Sequence, residues 1–147
     1  MLRVFLTFDL DMFCMQCEQT RNGTGCSTVG VCGKTPEVSA LQDLLLEKVK
    51  AIGFFSDRAR QLGVKNPEVD AFQLDALFST LTNVNFDPAR FHVFIKDAEK
   101  MAKIALSQYE NAAKAAGRPV EIPSWPSLNL PITSDAEYAP PYLAELC

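Results

Sequence analysis

Four of the chain's five cysteines fall in the order Cys14-x2-Cys17-x8-Cys26-x5-Cys32, and the fifth, Cys147, stands at the last position. This cluster limits what the first quarter of the sequence can become. Gly23, Gly25, Gly30 and Gly33 lie among the cysteines, and Phe13 to Lys34 carries no sustained helical or strand period, so the stretch reads as a loop wrapped around something. Secreted disulfide frameworks usually pair an even cysteine count with a signal peptide. Here the count is odd, and MLRVFLTFDLD, the first eleven residues, resembles neither a secretory signal nor an Arg-rich, acid-poor transit peptide. Four thiolates around one centre suit a tetrahedral zinc or an iron-sulfur cluster, with redox thiols as a third reading. Spacing alone does not choose among them. The glycines leave backbone N–H groups free to approach cluster sulfides, and Arg21 and Lys34 offset negative charge, which favours iron-sulfur. The wide C-x5-C second pair also differs from the two short knuckles of many zinc sites.

Helices follow the loop. Thr35-Pro36-Glu37 combines a capping hydroxyl, a proline whose missing N–H costs nothing in a first turn, and an acid near the positive end of the helix dipole. Val38, Leu41, Leu44, Leu45, Val49 and Ile52 then recur at spacings of three and four, which is one buried face. Gly53 is a candidate bend, with Phe54 to Leu62 continuing to Gly63. Asn66-Pro67-Glu68 repeats the start signal and predicts a second helix to about Leu81. Asp87-Pro88 opens a third, whose stripe is Phe91, Phe94, Ile95, Ala98, Met101, Ala102, Ala105, Tyr109 and Ala112, closed by Gly117 as a left-handed cap. Short turns between three helices predict an all-α, antiparallel three-helix bundle over 36–117. The cluster-binding loop is assigned to 12–35, before the bundle.

After Arg118 come six of the nine prolines, so 118–147 reads as a Pro-rich linker, a wrapping arm anchored by Trp125, or the start of a further domain. Residues 1–11 read as an extension ahead of a native start at Met12, with a short strand or arm as the alternative. A formal charge of -4 argues against a nucleic-acid backbone as partner, and no apolar run approaches the ~20 residues that cross a bilayer.

The run MFCMQCEQTRNGTGCSTVGVCGKTPEVSALQDLL, from Met12 to Leu45, resembles the N-terminus of the hybrid cluster proteins, also called prismane proteins or hydroxylamine reductases. LFSTLTNVNFD, from Leu77 to Asp87, is similar to the same family. The resemblance implies a 4Fe-4S cubane held by Cys14, Cys17, Cys26 and Cys32, since the compact spacing matches that subtype rather than the one with a 2Fe-2S centre. It implies electron transfer in a cytoplasmic oxidoreductase that reduces hydroxylamine to ammonia, or nitric oxide, with a redox donor protein and the remaining domains of the parent enzyme as partners. The family's second cluster of iron, sulfur and oxygen needs histidine, glutamates and several more cysteines. Outside the four ligands this chain has only His92 and Cys147 of the histidine and cysteine types, so that cluster is not expected here and the chain alone is expected to be inactive. The alternatives are a zinc-stabilised helical interaction module and a free-standing small electron carrier.

Other residues have plainer readings. His92 is expected to be a packed or surface histidine, because local spacing places no acidic partner for it. Phe54, Phe55, Phe72, Phe78, Phe86, Phe91 and Phe94 are assigned to the bundle core, some of them shielding the cluster from water. Glu18 and Gln19 read as a solvated turn. Thr80 to Asn85 has a plain role in capping through Asn83 and Asn85, and a sharper one in touching the cysteine loop. Cys147 reads as incidental.

Overall fold

A computed structural model describes residues 12–123. The expectations for 1–11, Trp125 and Cys147 lie outside those residues. Three helices follow the cysteine loop: α1 (Pro36–Gln61), α2 (Pro67–Ser79) and α3 (Pro88–Ala115). Each begins as the sequence predicts. The Thr35 hydroxyl accepts from Val38 N at 3.2 Å, Asn66 Oδ1 from Glu68 N and Val69 N at 2.9 and 3.3 Å, and Asp87 Oδ1 from Ala89 N at 2.9 Å, with proline in the first turn each time. Such caps satisfy N–H groups that the helix itself leaves orphaned, each stabilising by about 1 kcal/mol.

The contacts set the directions. Gln42 Nε2 on α1 donates to the Asn85 carbonyl just ahead of α3, and Phe55 stacks on Tyr109 further along both helices, so α1 and α3 run the same way. Gln73 Nε2 donates to Ser56 Oγ and Arg60 pairs with Asp70, so α2 runs back between them in sequence. The bundle is therefore all-α and up-down-up. Its main interface lies between α1 and α3, with the shorter α2 packed chiefly on α1.

The core follows the predicted stripes. Val38, Leu41, Leu44, Leu45, Val49 and Ile52 are all buried, and so are Phe91, Ile95, Ala98, Ala105, Tyr109 and Ala112. Phe94, Met101 and Ala102 pack against this cluster from its edge. Gly53 neither breaks nor interrupts α1: a Cβ there would stand 3.2 Å from Gln73 Oε1, so the small residue serves the close approach of α2.

Two expectations need correction. α2 stops at Ser79 rather than near Leu81, because the Ser79 and Thr80 hydroxyls donate back to the Ala76 and Leu77 carbonyls, at 2.7 and 2.8 Å, and end the ladder. Phe78 is 59% exposed and is not core. The inward face of α2 is Val69, Phe72, Ala76 and Ser79; Phe78 shares the opposite face with Leu74 and Leu77. The other six phenylalanines of that group are buried or packed against the core.

After α3, Gly117 takes the left-handed conformation expected of it, with φ +64°. The chain then lies back on the bundle, where Glu121 N donates to the Tyr109 hydroxyl at 2.9 Å and the Glu121 carboxylate pairs with Arg58 at 3.1 Å. Among the described residues no helix is long and apolar enough to cross a membrane.

Candidate functional site: the cysteine loop

The loop from Met12 to Thr35 has little regular structure, as its composition predicts: one turn of 3-10 helix at Arg21–Gly23 and one antiparallel bridge between Cys14 and Cys26. The bridge is a reciprocal pair, with Cys14 N donating to Cys26 O at 2.9 Å and Cys26 N donating to Cys14 O at 2.8 Å. Residues paired this way put their side chains on the same side of the ladder. Two of the four predicted ligands are thereby held side by side, although eleven residues separate them.

The other two are set by turns. Cys17 opens the turn in which its carbonyl accepts from Thr20 N, and it is half-buried. Cys32 sits in the turn closed by Gly33 N to Gly30 O and by Gly30 N to Lys34 O, both 2.8 Å. A Cβ on Gly30 would meet Lys34 Cβ at 2.9 Å and Cys32 Sγ at 3.1 Å, so only glycine lets these residues fold over it. Cys26 is buried, Cys14 and Cys32 are half-buried, and all four thiols are free.

Polar groups are directed at the sulfurs. Arg21 N donates to Cys26 Sγ at 3.5 Å, and Lys34 Nζ donates to Cys14 Sγ at 3.6 Å. The Arg21 backbone amide first, then that of Val31, holds the Cys26 thiol below its ordinary pKa against the opposing effect of burial, with the Arg21 and Lys34 charges adding to the same direction. The two cations expected to offset cluster charge differ in placement: Arg21 is exposed, whereas Lys34 is only 3% exposed.

The loop is tied to the bundle. Gln16 Nε2 donates to the Thr80 carbonyl at 2.7 Å, while Gln16 Oε1 accepts from Lys34 Nζ at 3.2 Å. The turn between α2 and α3 therefore touches the cysteine loop, as the sharper reading of Thr80 to Asn85 anticipates. Asn85 Oδ1 caps Asp87 N at 3.0 Å, and Asn83 supplies a left-handed turn residue with φ +62°. Glu18 and Gln19 are exposed, in keeping with a solvated turn, and His92 is half-buried on α3.

Among the described residues no three His, Cys, Asp or Glu side chains gather around a point that would hold a single metal ion. A polynuclear cluster makes a different demand, since its thiolates bind separate irons and surround a larger object. The donor set fits such a group: four free thiols, one with its pKa lowered by backbone amides, with amide and ammonium donors at two sulfurs. Sequence reasoning missed the burial of Lys34, because a lysine in a polar loop ordinarily signals solvent. The contacts across Gly30, which lies four residues before it, are the only local sign.

A family model described as the Prismane/CO dehydrogenase family matches residues 12–145. The hydroxylamine reductase of Rhodospirillum rubrum is 48% identical over 125 residues, covering 85% of this chain and 23% of that protein. That of Thermotoga maritima is 47% identical over 103 residues, covering 70% of this chain and 24% of the relative. That of Syntrophobacter fumaroxidans is 57% identical over 84 residues, 57% of this chain and 16% of the relative. The chain spans about a quarter or less of the length of these curated relatives.

Proposed function

Because this chain belongs to the Prismane/CO dehydrogenase family, we propose that it is the N-terminal electron-transfer unit of a hydroxylamine reductase, with Cys14, Cys17, Cys26 and Cys32 as the thiolate ligands of a 4Fe-4S cluster. The observation that carries the reading is the paired Cys14–Cys26 ladder, with Arg21 N and Lys34 Nζ donating to its two sulfurs. Donors of this kind suit sulfurs that carry negative charge, and they are a means by which a protein adjusts a metal-thiolate group.

When bound, the cluster supplies one-electron redox chemistry. The chain's own residues do the rest: the buried Cys26 keeps water from one ligand, Gly30 lets the Cys32 turn close, and Gln16 fixes the loop on the end of α2. The parent reaction is reduction of hydroxylamine to ammonia, or of nitric oxide, in the cytoplasm, with electrons delivered by a redox donor protein and the remaining domains of the enzyme supplying the reaction centre. Alone, this chain turns over no hydroxylamine.

Iron and acid-labile sulfide measured on chain purified without oxygen test the reading. About four of each, with visible absorption, support it. One zinc with no sulfide makes the loop a structural metal module instead. In Cys14→Ala and Cys26→Ala the loading is expected to vanish while helix content falls only in part, because α1 and α3 have their own core. Full occupancy in either variant rejects the ligand assignment.

A further inference from the structure

Lys34 is an unusual lysine. It is 3% exposed, and among the described residues its ammonium forms no ion pair with a carboxylate. Two partners hold it, Cys14 Sγ at 3.6 Å and Gln16 Oε1 at 3.2 Å. A buried cation is costly unless a negative group faces it. The Asp43 carboxyl feels the Lys34 charge, which pulls its pKa down against burial, but it makes no hydrogen bond or ion pair with the ammonium. Of the groups the ammonium touches directly, the Cys14 sulfur is the one that can carry negative charge. The lysine also has little room to leave, since its backbone carbonyl accepts from Gly30 N at 2.8 Å and its Cβ lies where a side chain on Gly30 would be. Arg21 is exposed, its hydrogen bond to Cys26 comes from its backbone amide, and solvent screens the charge of its side chain.

We propose that Lys34 is a positioning residue that sets the reduction potential of the group held at Cys14, with Gln16 holding its ammonium in place between the cysteine loop and the Thr80 carbonyl. The inference rests on the cluster reading above. Reduction adds one electron, and so one negative charge, next to a fixed ammonium; no bond forms or breaks. A cation excluded from water favours the reduced state more than an exposed one, because solvent screens it less.

The test is a redox titration of the full chain, loaded without oxygen and followed by electron paramagnetic resonance and visible absorption. Dithionite supplies each electron and is itself oxidised. Lys34→Met is expected to lower the equilibrium constant for reduction at least about tenfold, a potential more negative by about 59 mV for one electron, and Lys34→Arg to restore most of it. A fully loaded Lys34→Met chain that titrates with wild type overturns the proposal. Should Lys34→Met fail to load, Gln16→Leu decides: it keeps the ammonium but removes its amide anchor, and is expected to titrate to the negative side of wild type. Coincidence with wild type again overturns the proposal. A wild-type chain that binds no iron and sulfide is a failure of the ligand reading, and takes this inference with it. Normal loading with unmoved potentials is a failure of this inference alone.

Discussion

Asp43→Asn should stabilise the bundle at pH 8 and do much less at pH 4. Burial raises the Asp43 carboxyl from 3.8 to about 6; Lys34 and Lys50 pull it down and Glu47 pushes it up, without reversing the effect of burial. Between those values the folded chain binds more protons than the unfolded one, so wild-type stability falls as pH rises through the window and the loss is complete above it. At 1.36 kcal/mol for each tenfold change in proton affinity, the full loss is about 3 kcal/mol. Asparagine keeps the shape of the side chain and carries no charge to desolvate. The attraction of the two lysines is already contained in that net shift, so the expected advantage above pH 7 is about 3 kcal/mol. Near pH 4 the folded carboxyl is almost fully protonated and the unfolded one is only about half ionised, so the advantage falls below about 1 kcal/mol. Urea unfolding of the metal-free chain, followed by helical circular dichroism at both pH values, measures it. An advantage equal at pH 4 and pH 8, or a variant less stable than wild type at pH 8, refutes the argument that Asp43 is a desolvated acid.

Phe55→Ala removes a ring that is 2% exposed and stacked on Tyr109 at 6.3 Å, and should cost about 3–5 kcal/mol, seen as a lower urea midpoint at unchanged slope. By contrast, Leu74→Gln and Phe78→Ser change side chains that are 70% and 59% exposed, and each should leave stability within about 0.5 kcal/mol of wild type. A loss of 2 kcal/mol or more in either would place the outer face of α2 in the core after all.

Much of the fold was legible in the residues. Thr35, Asn66 and Asp87 each precede a proline, and that local chemistry is enough to start a helix wherever the chain later packs. The stripes on α1 and α3 were equally plain, because most of their apolar residues recur at helical spacing on one face. On α2 the same logic failed. Val69, Phe72 and Ala76 lie on one side and Leu74, Leu77 and Phe78 on the other, so the sequence offers two apolar faces and only packing selects the inner one.

The cysteine loop divides in the same way. Residue types and spacing by themselves determined four clustered thiols, a glycine-rich wrap around them, two nearby cations and three capped helices. Which cysteines pair, and which cation is buried, was decided only in three dimensions. The Cys14–Cys26 ladder is a non-local pair of backbone hydrogen bonds, and neither residue's neighbours specify it. Lys34 and Arg21 are both basic residues of one loop, separated by burial alone: Gln16, bonded to the Thr80 carbonyl 64 residues away, holds the Lys34 ammonium against the Cys14 sulfur. Local sequence sets what each segment can do, and the charge that is kept from water depends on which distant segment comes to cover it.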